Sequence, residues 1–470
     1  MGYVMKKASF IVLSIALVFL LALCTFAEED PLPGKDITES VSLNFTVGNG
    51  RSARLLDRNV ESACSADDLF ELQISSTEPI YGIYLLWNDE VPRWTISGET
   101  ETIHGGNNGF WHEYMPLSGG LNYTMTWTDT PGAELAEVYF LSRGEVPDFV
   151  QIWDAPCEKA DFLLIPTHAD DEHLWFGGTM PYYAGELGYK IQVVYLMKHV
   201  SGRHHELLNG LWHVGVRNYP VISEFIDKYS WSLSHAKTLY PEEEVLSFLV
   251  ENIRRFQPEV IVGHDLKGEY GHGAHILNAT VLSERALTAA ADPMQCPESY
   301  AKYGTWETKK CYLHLYHENE IFIDWTAKIL SAFDGKNAYD VAQEGFDQHV
   351  SQRDFFSMSL DNREKYGNAL FGLIYSTVGP DLARNDFLEN IPAQSLTTWV
   401  EPEPEPEPNV TETEDISTET TTDSVTNSTV STTSITQNNN DADIFVFLLI
   451  VAAAVFFCVS ILIVVFLRRK

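Results

Sequence analysis

Residues 168–173 read HADDEH, two imidazoles and three carboxylates in six positions, directly after the apolar run DFLLIPT. A core does not accept such a cluster, because buried charge is costly unless it is paired or ligates a metal. A second loop, GHDLKGEYGHGAH at 263–275, follows PEVIV and adds His264, Asp265, Glu269, Tyr270, His272 and His275. The two loops offer nitrogen and oxygen donors and no thiolate. Imidazole plus carboxylate, three protein ligands and one open position are the ingredients of a catalytic zinc site. Such a metal acidifies a bound water and polarises a carbonyl. A nearby carboxylate then takes the proton, and a histidine stabilises the oxyanion or protonates a leaving amine.

The elements that must position these loops follow from the flanking pattern. DFLLIPT (161–167), KIQVVYLMK (190–198) and PEVIVGHD (258–265) are continuous apolar runs, as expected of strands covered on both faces. Between the last two lies PEEEVLSFLVENIRRFQ (241–257), with Pro241 and three acids at its start. Val245, Leu246, Leu249, Ile253 and Phe256 then fall on one helical face. Strand–helix–strand alternation predicts a parallel sheet with right-handed crossovers. Ligands in such sheets bind beyond the carboxyl ends of the strands, where both loops sit.

THADDEH resembles the (A/T)HPDDE signature of the PIG-L/LmbE-like de-N-acetylases. GEYGHGAH resembles their second HxxH signature, and GRHHEL at 202–207 resembles the R-x-x-E-L element between them. The resemblance covers about 160–395 and implies a Rossmann-like α/β fold. It also implies His168, Asp171 and His275 as metal ligands and Asp170 as general base. By the same likeness His272 stabilises the tetrahedral intermediate, Tyr270 assists, and Arg203 contacts substrate. The metal so implied is Zn2+, with Fe2+ as the other divalent ion suited to these donors. One departure is Ala169 where the family has proline, which relaxes the loop and removes no functional group. Glu172 reads as a group that orients a ligand, His173 as plain surface, and His204, His205 and His213 as surface or packing. Trp175 and Phe176 read as packing.

The remaining chain frames this region. The 470 residues carry a formal charge of −35, which argues against a nucleic-acid partner. Lys6 and Lys7, an apolar run and a cut after Ala27 predict a signal peptide over 1–27. Residues 36–150 hold short alternating runs such as SLNFTV, LFELQI, IYGIYLLW, YTMTWT and EVYFLS, which predict an all-β sandwich or jelly roll, vaguely like galactose-binding modules. The α/β region runs over 158–395. Residues 401–443 have eleven acids and no Lys or Arg, which predicts a disordered Pro/Thr/Ser stalk. Residues 444–467 are uncharged and long enough for a transmembrane helix, and RRK at 468–470 is then a cytoplasmic tail. This predicts a single-pass type I membrane protein with its catalytic region outside the cell or in a lumen. Cys64, Cys157, Cys296 and Cys311 permit two disulfides, Cys296–Cys311 being favoured by proximity. Sequons at Asn44, Asn122, Asn278, Asn409 and Asn427 would be surface positions.

The reading that best joins these features is a metal-dependent N-deacetylase that acts on an N-acetylated glycan or glycolipid. Two others stay open: an amidase for a non-sugar amide, and a catalytically silent carbohydrate-binding adhesin.

Overall fold

The apolar runs that flank the two donor loops become neighbouring strands. In the computed structural model, residues 32–400 are described apart from 48–50, 67, 129 and 361–366. The N-terminal strands are β1 (Val41–Val47), β2 (Cys64–Ser65), β3 (Leu69–Asn88), β4 (Trp94–Gly98), β5 (Thr102–Gly105), β6 (His112–Thr128) and β7 (Glu134–Leu141). All pair antiparallel in one connected sheet of order β2-β7-β3-β6-β4-β5, with β1 on β3. LFELQI and IYGIYLLW, which read as two runs, are the halves of the single strand β3. Its first half pairs with β1 and its second with β7. The register against β6 breaks between Ser75 and Ile80, around Pro79, which has no N–H to give to the ladder. Phe70, Ile83, Trp87, Trp94, Met125, Trp127 and Phe140 fill the core of this sheet.

The second sheet has the order β10-β9-β8-β11-β12-β16-β13. Its strands are β8 (Phe162–Leu164), β9 (Ile191–Tyr195), β10 (Val221–Ile222), β11 (Val260–Gly263), β12 (Lys310–His314), β13 (Glu320–Phe322) and β16 (Leu370–Ser376). β14 (Ile329–Leu330) and β15 (Lys336–Asn337) make a separate two-stranded ladder. β10, β9, β8, β11 and β12 are parallel, while β16 and β13 extend the sheet antiparallel. Phe162, Leu164, Val193, Val260 and Val262 face one core and Leu163, Ile165, Val194 and Ile261 the other. Both faces are therefore covered, which explains why these strands read as unbroken apolar runs.

The helices are α1 (Asp171–Leu174), α2 (Ser201–His213), α3 (Leu233–Leu239), α4 (Glu242–Phe256), α5 (Gly273–Val281), α6 (Leu287–Ala291), α7 (Pro297–Tyr303) and α8 (Ala338–Phe346). α4 buries the five residues predicted for its apolar face and ends at Gln257, whose φ of 48° is a left-handed stop. β9 lies on one side of β8 and β11 on the other, so β8 and β11 flank the point where strand order reverses. That is where an open α/β sheet leaves a crevice at its carboxyl edge.

The N-terminal sheet is joined to the α/β layer through a buried hydrogen-bonded chain. Tyr84 donates to His112 Nδ1 at 2.8 Å, His112 Nε2 lies 2.8 Å from His205 Nδ1, and His205 Nε2 lies 2.8 Å from Asn88 Oδ1. Trp111 stacks on His204, with ring centroids 3.8 Å apart. The described residues belong to one compact unit.

Several expectations are corrected. The single-pass membrane placement is not upheld: no helix among the described residues is long and apolar enough to cross a membrane. α4, the longest of them at 15 residues, spans about 22 Å, short of the ~30 Å needed, and one face is charged. The signal peptide at 1–27, the stalk at 401–443, the apolar stretch at 444–467 and the tail at 468–470 lie outside the described residues, as do Asn409 and Asn427. Cys64, Cys157, Cys296 and Cys311 are free thiols, and Cys311 sits in the core of the sheet instead of bridging to Cys296. Asn44 and Asn122 are exposed. Asn278 is buried on α5 and donates to Thr167 Oγ1 at 3.0 Å, so it is not a surface position.

Candidate active site

β8 ends at Leu164, and the chain turns through Pro166 and Thr167 into α1. β11 ends at Gly263 and runs through the second loop into α5. The two loops meet. His168 Nδ1 lies 2.9 Å from His275 Nε2 and 3.4 Å from Asp171 Oδ2, and His275 Nε2 lies 3.1 Å from the same oxygen. A tetrahedral zinc shell with bonds of ~2.0–2.1 Å has ligand–ligand edges of roughly 3.3 Å, so these three atoms fit one small divalent ion.

The partners of each ring decide which nitrogen is free to ligate. His275 Nδ1 is 3.2 Å from the Glu269 carbonyl and must donate there, which leaves the Nε2 lone pair for the centre. His168 Nε2 is 3.5 Å from Asp227 Oδ1, which leaves Nδ1. This carboxylate–imidazole arrangement sets the tautomer and raises ligand basicity. Asp171 is aimed by the backbone N–H groups of Thr167 (3.1 Å) and His168 (2.7 Å) on Oδ2 and by the Trp175 indole (2.8 Å) on Oδ1. His264, from the same donor pool, lies beside this trio, its Nε2 2.9 Å from the Thr167 N–H and 3.4 Å from Asp171 Oδ2. His264 Nδ1 lies 2.8 Å from Glu269 Oε2, and His314 Nδ1 lies 2.9 Å from Glu269 Oε1.

Charge is set unevenly across the site. Although burial opposes protonation, Asp171 and Asp227 hold His168 up at about 9. Burial would raise Asp227, yet contacts with His168 and His199 hold it below the usual carboxylate range. Positive charge is thus favoured at His168, between these two acids. Asp170 is pushed up to about 7, by burial first and then by the charge of Asp171.

Asp170 sits at the start of α1 with φ 109°, a conformation that costs an L-residue about 1–3 kcal/mol. Its N–H donates to Glu172 Oε2 at 2.9 Å, and the Arg203 guanidinium lies 3.5 Å from its Oδ1. Arg203 also donates to the Ala169 carbonyl at 2.6 Å, so it clamps the loop. His272 caps α5, accepting the Ala274 N–H on Nδ1 at 3.3 Å, which leaves its Nε2 as a donor. Burial, then the neighbouring His168 and His275, lower its pKa to about 3. Tyr270 has φ 55°, is half-exposed and packs between Trp175 and Phe356.

A cavity of ≈ 290 Å³ is lined by His168, Asp170, Asp171, Arg203, Tyr270, His272 and His275 together with Asp227, Trp175, Tyr229, Gln352 and Phe356. All seven residues expected from the sequence thus share one pocket. Glu172, read as orienting a ligand, accepts the Asp170 N–H and lies outside the cavity lining. His173, read as surface, is fully buried. His205, read as surface or packing, is buried in the interdomain chain. Asp227 and His199 were not anticipated: they lie in no motif, and only the fold brings them to His168. Among the described residues, groups able to hold a metal are His168/His272/His275, Asp171/His264/His275 and Glu172/His173/His349.

The family model described as GlcNAc-PI de-N-acetylase, PIG-L, matches residues 163–286. Residues 163–286 are a PIG-L family domain. All seven pocket residues lie inside the PIG-L domain. Two curated relatives are 1D-myo-inositol 2-acetamido-2-deoxy-alpha-D-glucopyranoside deacetylases. The one from Catenulispora acidiphila is 28% identical over 186 residues, covering 34% of this chain and 56% of its own length. The one from Frankia casuarinae is 39% identical over 70 residues, 15% of this chain and 21% of its own length. The chain therefore spans about half the length of the first and a fifth of the second. Among solved structures, N,N'-diacetylchitobiose deacetylase from Pyrococcus horikoshii is 16% identical with a TM-score of 0.33, over 41% of this chain and 71% of that one.

Proposed function

We propose that this chain is a metal-dependent N-deacetylase that hydrolyses the acetamide of an N-acetylglucosamine-type glycan to a free amine and acetate. The convergence of His168 Nδ1, Asp171 Oδ2 and His275 Nε2 to within 3.4 Å of one another, at one end of a pocket that also holds Asp170 and His272, carries this reading. The PIG-L match and the deacetylase relatives support it. In this reading residues 158–395 form the catalytic region and 36–150 a carbohydrate-binding one.

His168, Asp171 and His275 would hold Zn2+ or Fe2+, which supplies Lewis acidity for the amide carbonyl and for the attacking water. Asp170 takes the proton of that water and delivers it to the departing amine nitrogen. His272 donates from Nε2 to the oxygen that gains charge as the carbonyl becomes tetrahedral. Arg203 keeps Asp170 in place through the Ala169 carbonyl. Tyr229, Tyr270, Trp175 and Phe356 give the pocket aromatic walls suited to the face of a sugar ring.

Zinc-loaded protein incubated with N,N'-diacetylchitobiose and N-acetylglucosaminyl-inositol tests this. Acetate and amine should appear in equal amounts, and Asp170→Ala should lower the rate by about 10²–10⁴-fold while zinc content stays at the wild-type level. Zinc binding without acetate from any acetylated amino sugar would overturn the sugar assignment. A near-normal rate in Asp170→Ala would overturn the base.

A further inference from the structure

None of Glu172, His173 and His349 lines the catalytic cavity, and all three side chains are fully buried. Glu172 and His173 come from α1, and His349 follows α8, well outside the PIG-L domain. His349 Nε2 lies 3.1 Å and His173 Nε2 3.5 Å from Glu172 Oε1, and the three donor atoms fall within 4.8 Å of one another. An ion pair between Glu172 and His349 accounts for only part of this. Both ring nitrogens of His173 and Nδ1 of His349 have no hydrogen-bond partner. A neutral imidazole such as that of His173 carries one N–H and one lone pair, and burying such a group unpaired costs about 1–3 kcal/mol.

The neighbouring helices have been opened to make room. A Cβ on Gly210 of α2 would stand 2.7 Å from His173 Nε2 and 3.0 Å from His349 Nε2. A Cβ on Gly345 of α8 would stand 2.5 Å from His173 Cε1. Glycine inside a helix costs roughly 0.5–1 kcal/mol relative to alanine, so one facing both rings and a second facing His173 indicate space kept for a purpose. The buried Tyr195 hydroxyl interacts with Glu172 from the neighbouring strand.

We propose that Glu172 Oε1, His173 Nε2 and His349 Nε2 bind a second divalent ion of the zinc class, separate from the catalytic centre. Two imidazoles and one carboxylate suit zinc, and they do not suit the oxygen-seeking Ca2+ or Mg2+. The site is closed to substrate, so its role is structural. It pins Glu172, whose Oε2 receives the Asp170 N–H at 2.9 Å and so maintains the φ of 109°.

The test uses tag-free full chain carrying His168→Ala and His275→Ala, loaded with zinc and washed with a weak chelator. Elemental analysis should find one zinc per chain, and adding His349→Gln should reduce it to none. No zinc in the double variant, or zinc that persists after His349→Gln, overturns the second site. Should the His349 variant fail to fold, zinc K-edge absorption of the double variant decides. Two imidazole nitrogens with oxygen are expected, and any other nitrogen count or a sulfur ligand overturns the assignment. Because the catalytic ligands are already removed, the result is independent of the deacetylase reading.

Discussion

Asp170 occupies a backbone conformation that its own Cβ disfavours, next to a like charge on Asp171 that raises its pKa after burial has done so. Glycine relieves both penalties. Asp170→Gly should therefore stabilise the protein by about 1–2 kcal/mol in denaturant unfolding while turnover falls by at least about 10²-fold. Asp170→Asn, which keeps the Cβ, should lose the turnover without the full gain. Asp227 makes the opposite case. It takes no part in the proposed chemistry, but it receives the Nε2 side of His168 and so fixes which nitrogen would face the proposed metal. Asp227→Asn should weaken zinc binding about 10–100-fold in a chelator competition, with the fold intact. The contrast shows what can be read from the chain alone. His168, Asp170, Asp171, His272 and His275 were legible because each lies in a short motif after an apolar strand. Asp227 and His349 were not, because their partners are far away in sequence and no local spacing marks them.

Elements were legible to the extent that one face or period dominated. The runs at 161–167, 190–198 and 258–265 became β8, β9 and β11, and the stripe on 241–257 became α4, since burial on two faces or one stripe leaves a clear pattern. The join of two runs into β3 was hidden, because Ser75–Pro79 reads as a turn while the chain continues extended through a register break. Helix α8 carries a prediction in which local propensity and packing disagree. By propensity, Gly345→Ala should gain about 1 kcal/mol. The new Cβ, however, would lie 2.5 Å from His173 Cε1 and 2.6 Å from Val214 Cγ1, both held in the core. Overpacking of that kind costs typically 1–3 kcal/mol, so the net change should be a loss of roughly 1–2 kcal/mol. A matched or raised melting temperature would mean that the His173 pocket gives way, and with it the reason for a glycine there.

At the scale of the whole molecule, the Tyr84–His112–His205–Asn88 chain couples the antiparallel sheet to α2 of the α/β layer. Its direction is fixed at the Asn88 end. The Asn88 amide is anchored on the Val60 carbonyl at 2.9 Å, so Asn88 Oδ1 accepts from His205 Nε2–H, the neutral His205 Nδ1 accepts from His112 Nε2–H, and the neutral His112 Nδ1 accepts from the Tyr84 hydroxyl. Both imidazoles are neutral in this arrangement, and protonating His205 on Nδ1 would place N–H against the His112 Nε2–H. Burial lowers the His205 pKa to about 4, and burial followed by His205 and His204 lowers that of His112 well below its usual value. A base whose folded pKa is depressed contributes stability that is complete above its unfolded pKa of ~6.5 and is lost as pH falls towards the folded value. For His205 the loss should reach about 2 kcal/mol at pH 5 and level off below pH 4. Carboxylates also titrate at the acid end of this window, so the comparison must be made against a variant that keeps the hydrogen bonds and removes the titration. His205→Gln can accept from His112 through its carbonyl oxygen and donate to Asn88 through its amide. It should therefore lower stability at pH 7.5 only modestly, while the drop between pH 7.5 and pH 5 shrinks by the His205 share. Thermal unfolding of both proteins across that range reads the difference directly, and parallel curves would show that the seam does not set the acid sensitivity of the fold.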